Sequence, residues 1–109
     1  AQMSIVIPRI KDANTETLSG AKVLTAADAY HQNLDCGGSA REVDLPSGTG
    51  TQGGEVMITN ASDAAEAITV KQSDSSTTVI VIDQNQSAQL VCNGVSAAAG
   101  WQAVGITES

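Results

Sequence analysis

The chain has 109 residues, enough for one compact domain and too few for two ordinary ones. Its net charge is −7, and the five cations, Arg9, Lys11, Lys22, Arg41 and Lys71, are scattered. They form no basic stripe for phosphates or anionic lipid, so the expected partners include no nucleic acid and no membrane.

Val and Ile together number 18 against 5 Leu, with 10 Thr, a vocabulary suited to pleated sheets because β-branched side chains are stiff at χ1. Aromatic content is 2%, with no Phe, so the core must be thin and association with other subunits is expected. No apolar run approaches the roughly 20 residues of a membrane-spanning helix, and no basic-then-apolar leader is read at the start.

Residues 1–20 begin with the apolar run Ile5, Val6 and Ile7, stopped by Pro8, and continue as a polar stretch. This predicts an extended N-terminal arm with a β-prone tip, or alternatively an edge strand, where Pro8 is tolerated. Residues 21–109 are expected to form a single β domain. Lys22 to Thr25 reads as a strand, and Thr25 to Asp28 as an N-capped turn. Residues 41–46, "REVDLP", alternate with period two and stop at Pro46. The following "SGTGTQGG" reads as a flexible glycine-rich turn.

From residue 55 onward, runs of five or six β-prone residues at 55–60, 67–72, 78–83 and 87–92 are separated by short polar turns. Such spacing predicts an all-β domain, a small antiparallel β-barrel or β-sandwich (β-tulip-like), because parallel crossovers need a dozen or more residues. The uniformly apolar stretch from Val79 to Ile82 is expected to be central, covered on both faces. Asn93-Gly94 then signals a turn, and a longer connection leads to a last strand opening at Gly100-Trp101.

Catalysis is not expected. His31 is the one imidazole, and its neighbours Asp28, Asp35 and Cys36 form a superficial cluster that reads as a solvated loop. Asp28, His31 and Asp35 have helical spacing, yet too few further ligands accompany them for zinc. Neither metal nor cofactor is expected. Ser47 to Glu55 lacks the Gly-Lys-Ser/Thr of a phosphate loop. Cys36 and Cys92 read as two buried thiols, with a bridge between them as the alternative.

The succession "REVDLPSG", "GGEVMITNAS", "AITVKQ", "TVIVIDQNQSAQLVCNG" and "GWQAVG" resembles small virion proteins of tailed bacteriophages, closest in layout to head-decoration or capsid cement proteins. The resemblance covers about residues 20 to 105 and rests on turn and strand signals. It implies a homotrimer on the outer surface of the virion, bound to the major capsid protein at threefold positions and made in the host cytoplasm. It also implies a capsid-binding role for an arm comprising Ile5, Val6, Ile7 and Pro8. An extended apolar tip suits that role, since it can add a strand to an exposed sheet edge. The alternative is a receptor- or carbohydrate-binding module of a head or tail fibre, with Trp101 and Tyr30 as stacking platforms. Trp101, Val79, Val81 and Leu90 are expected in the core or at a subunit interface, with Trp101 as the plug of a core otherwise built from Val, Ile and Ala.

Overall fold

The computed structural model describes residues 12–107. Nine strands account for its regular structure: β1 (Ala13–Thr17), β2 (Lys22–Val23), β3 (His31–Asp35), β4 (Arg41–Asp44), β5 (Glu55–Asn60), β6 (Ile68–Lys71), β7 (Thr78–Ile82), β8 (Ser87–Cys92) and β9 (Trp101–Thr107). They form a five-stranded sheet in the order β1-β3-β5-β8-β9 and a four-stranded sheet in the order β2-β4-β6-β7. Buried side chains from both sheets make one core, so the fold is an all-β sandwich.

The expectation of antiparallel pairing is corrected. The first six strands alternate between the two sheets, and within each sheet they pair in parallel, β1 with β3 and β5, β2 with β4 and β6. Parallel neighbours need a long crossover, and here a strand of the opposite sheet supplies it. The chain therefore winds as three stacked two-strand coils. Antiparallel pairing begins afterwards, with β7 on β6, β8 on β5 and β9 on β8.

Period-two burial follows the sequence pattern. Gln32 and Leu34 of β3, Val56, Ile58 and Asn60 of β5, and Ala88, Leu90 and Cys92 of β8 point inward. Their registers stack Gln32, Ile58 and Ala88 in one row and set Val56 beside Leu90 in another. Val43, Ile68, Val70 and Ile82 answer from the second sheet. Cys36 and Cys92 are both buried free thiols, as the two-thiol reading expected.

The boundary of the arm also shifts. Residues 13–17 form the edge strand β1, and Leu18 is 4% exposed within the core, so the sandwich starts well before residue 21. The proposed tip, Ile5, Val6, Ile7 and Pro8, lies outside the described residues. Val79 to Ile82 is an edge strand, not a central one. Ile82 is fully buried, but Val81 faces outward opposite Thr69 at 45% exposure, and Val79 lies at an irregularity in the β6–β7 register, partly buried. An apolar run has no period to separate these two cases. Leu90 and Trp101 are core residues, at 0% and 5% exposure.

The glycine-rich stretch is a packed loop. Gly48 to Gly50 make a turn of 3-10 helix, and Gly48 is buried against the connection that precedes β9. Its N–H donates to the Ala97 carbonyl at 3.1 Å, and a Cβ there would collide with the Ser96 carbonyl and come within 3.1 Å of the Gly100 Cα. Glycine is required at position 48 by close backbone approach.

Candidate binding cleft

Trp101 is fixed at the point where the sheets meet. Gln72, at the end of β6 and 4% exposed, places its side-chain amide alongside the Trp101 backbone. Gln72 Nε2 donates to the Trp101 carbonyl at 2.8 Å, and the Trp101 N–H donates to Gln72 Oε1 at 3.2 Å. One side chain thus imitates a strand partner and satisfies two buried backbone groups that the sheet leaves open. The indole Nε1 donates to the Pro46 carbonyl at 2.9 Å, tying the ring to the end of the β4 segment.

Beside the ring opens a cleft of about 290 Å³, formed by the loops 24–29 and 46–54 together with the first residues of β5 and β9. Leu24, Pro46, Val56 and Trp101 are its apolar lining residues, and Asp28 and Glu55 are its acidic ones. Among the described residues its lining contains no Lys, Arg or His.

Both carboxylates are positioned by neighbours. Asp28 Oδ2 accepts from the Thr25 N–H at 2.7 Å and the Thr25 hydroxyl at 3.2 Å, while the Asp28 N–H donates to the Thr25 carbonyl at 3.1 Å. This is the capped turn expected at Thr25 to Asp28, and it folds the Asp28 carboxylate back onto Thr25. Glu55 Oε1 accepts from Gln89 Nε2 at 3.0 Å, and Gln89 Oε1 in turn accepts from the Tyr30 hydroxyl at 2.6 Å. Among the described residues the ion pairs are Lys22–Glu16 and Lys71–Glu42, so neither carboxylate of the cleft has a cationic partner there.

The groups singled out around His31 are not assembled into a catalytic arrangement. His31 opens β3 and Cys36 follows its end, about 16 Å further along an extended strand and on the opposite face. His31 Nε2 is instead hydrogen-bonded to Thr59 Oγ1 at 2.9 Å, and Thr59 Oγ1 to Ser87 Oγ at 2.7 Å, across the outer face of the larger sheet. The solvated-loop reading of His31 is therefore corrected to a half-buried strand position. Asp28 and Asp35 likewise fall at opposite ends of the β3 region, because the segment is a strand and the helical spacing does not apply.

Sequence reasoning missed a different acidic group. Carboxylate oxygens of Asp35, Asp63 and Glu66 lie within 4.8 Å of one another, where the parallel pairing of β3 and β5 brings the 61–66 loop across the end of β3. The Ala61 N–H, donating to the Leu34 carbonyl at 2.8 Å, fixes that approach. Such a cluster does not by itself specify a ligand. The cleft was missed for the same reason, since its walls come from segments distant in sequence. No protein-family model matches the chain, and no curated protein matches it either.

Proposed function

We propose that the protein is a structural virion component that binds the outer surface of a mature phage capsid as a homotrimer and stabilises the shell. The strand and turn layout that resembles head-decoration proteins motivates this reading. The observation that carries it is an apolar margin on the sandwich: edge strands β7 and β9 adjoin, and they expose Val81, Val104 and Ile106 at 45%, 59% and 39%. In a chain of net charge −7 that has no Phe, such a margin is suited to burial between subunits. The β7 and β9 registers each carry an irregularity, which disfavours open-ended strand pairing and favours a closed assembly.

At the other end of the larger sheet, β1 is an edge that follows residues 1–11 almost directly, a suitable position for a segment that pairs with a shell protein. The alternative, a receptor- or carbohydrate-binding module, has less support. Trp101 is 5% exposed and the Tyr30 hydroxyl is engaged by Gln89, which leaves little open ring face for stacking on a sugar.

Light scattering should give a trimer mass, and the protein should bind mature capsids saturably and precursor capsids weakly. Val104→Lys with Ile106→Lys should yield monomers, because like charges would face one another across the margin. Removing residues 1–11, which spares β1, should abolish shell binding without unfolding the sandwich. Wild-type protein that stays monomeric and binds no capsid would overturn the proposal.

A further inference from the structure

We infer that Asn93 is a site of spontaneous modification: in the folded chain its side-chain amide is converted, through a cyclic imide with the Gly94 nitrogen, to aspartate and isoaspartate. The only co-reactant is water. The Gly94 nitrogen gives its proton to solvent and bonds to Asn93 Cγ, the Cγ–Nδ2 bond breaks, and Nδ2 leaves as ammonia with a proton taken from solvent. Water then opens the imide at either carbonyl, so the main chain runs on through its original carbonyl or through the former side chain.

The turn after β8 supplies the geometry. Asn93 Oδ1 accepts from the Val95 N–H at 2.8 Å, and the ring closed by that bond contains both Asn93 Cγ and the Gly94 nitrogen. The side-chain carbonyl is thereby folded over the peptide nitrogen that attacks it, which replaces a search through conformations. The same Val95 N–H faces the oxygen on which negative charge develops as the new bond forms. Asn93 is exposed, and among the described residues neither its Nδ2 nor the Gly94 N–H is held in a hydrogen bond. Glycine is fixed at position 94 by the fold, since φ is +77° and a Cβ would come within 2.6 Å of the Gln52 side chain. No side chain therefore screens the attacking nitrogen.

The chain's other asparagines, Asn14, Asn33, Asn60 and Asn85, lack this combination, and each is followed by a residue with a side chain. After Asn60 and Asn85 the attacking nitrogen is engaged: the Ala61 N–H donates to the Leu34 carbonyl at 2.8 Å, and the Gln86 N–H to the Asp83 carbonyl at 3.1 Å. The leaving nitrogen is tied in Asn14, whose Nδ2 donates to Glu16 Oε1 and Gln32 Oε1, and in Asn60, whose Nδ2 donates to the Glu66 and Ile82 carbonyls. Asn33 lies within β3, between two paired strands. Isoaspartate adds a methylene to the main chain where Gly94 packs on Gln52, at the start of the connection that Gly48 is locked against. Either product also adds a negative charge. The inference stands apart from the capsid reading.

Tandem mass spectrometry of the full chain tests this. Folded protein is incubated in mildly alkaline buffer beside the same chain unfolded in guanidinium chloride, and both are digested at acid pH, where the imide forms slowly. Asn93 is expected to accumulate aspartate and isoaspartate in the folded sample while Asn14, Asn33, Asn60 and Asn85 remain amides. The converted protein should elute later from an anion exchanger. Asn93→Ser, which keeps a side-chain oxygen for the Val95 N–H, should remove that shift. Asn93 retained in the folded sample over the time in which it converts in the unfolded one would overturn the inference, because the turn would then protect the amide. Earlier conversion at another asparagine would overturn it as well, and so would aspartate without isoaspartate, the mark of direct hydrolysis with no imide.

Discussion

Trp101 unites packing and polar satisfaction in one residue. It is the largest side chain available to a core made mostly of Leu, Ile and Val, and it is 5% exposed. Trp101→Ala should destabilise the fold by about 3–5 kcal/mol, through lost transfer energy and the void left behind. Denaturant unfolding followed by far-UV circular dichroism checks this. Unchanged stability would place Trp101 outside the core's energetics. Gln72→Ala should also be costly, because it strands the Trp101 N–H and carbonyl in a buried site at about 1–3 kcal/mol for each group. Since both substitutions dismantle one cluster, the double variant should lose less than the sum of the two single losses. The ring's place in the core follows from its position on an apolar-alternating last strand. Gln72 is different: a polar residue at a strand end reads as solvent-facing, and only the approach of β9 to the end of β6 gives it a buried partner.

At the scale of elements, two carboxylates tie short segments together, Glu16 half-buried and Asp74 exposed. Lys22, hydrogen-bonded to Glu16 at 2.8 Å, and the Asn14 amide hold the Glu16 carboxyl below the ordinary glutamate range, joining β1 to β2. The backbone N–H and hydroxyl of Thr77, with the Ser76 N–H, hold the Asp74 carboxyl below the ordinary aspartate range in the β6–β7 turn. A carboxylate with a depressed folded pKa adds stability at pH values above its unfolded pKa, and that stability is lost as pH falls through the folded value. The melting temperature should therefore hold from pH 7 to about 5 and decline below about 4. Asp74→Asn and Glu16→Gln should each flatten that decline. An equally steep decline in the double variant would show that other groups cause it. The turn itself was legible, since "SDSST" between two β-prone runs signals a bend, but the coupling of Glu16 to Lys22 depends on how β1 leads into β2.

For the whole molecule, the winding order decides most of the properties. Parallel pairing of β1, β3 and β5 joins residues separated by a full coil, and β5 pairs with β8 across the two strands between them. Only β6 with β7 and β8 with β9 pair as consecutive strands, so for most of the pairing loop-closure entropy must be met before contact rewards it. Stopped-flow refolding should accordingly be slow for a chain of this length, in the range of about milliseconds to seconds. Refolding in tens of microseconds would contradict a transition state built on these long-range pairings. The same winding brings the 24–29 and 46–54 loops to one end and creates the cleft, and it leaves β1, β2, β7 and β9 as edges.

The sequence by itself determined the all-β class, the positions of most strands, the inward alternation at residues such as Ile58 and Leu90, and the capped turn at Thr25 to Asp28. These are consequences of local chemistry: β-branched residues, period-two burial, and side chains that bond to their own turn. Tertiary structure alone decided that β1 through β6 pair in parallel, that Val79 to Ile82 lies at an edge, that Gly48 is locked against the 95–100 connection, and that Asp28 and Glu55 share a cleft with Trp101. A strand's own residues carry its pleat and its faces, but nothing local records the direction of its neighbour. That direction is set by the shared core, which buries most apolar surface when the chain crosses from sheet to sheet.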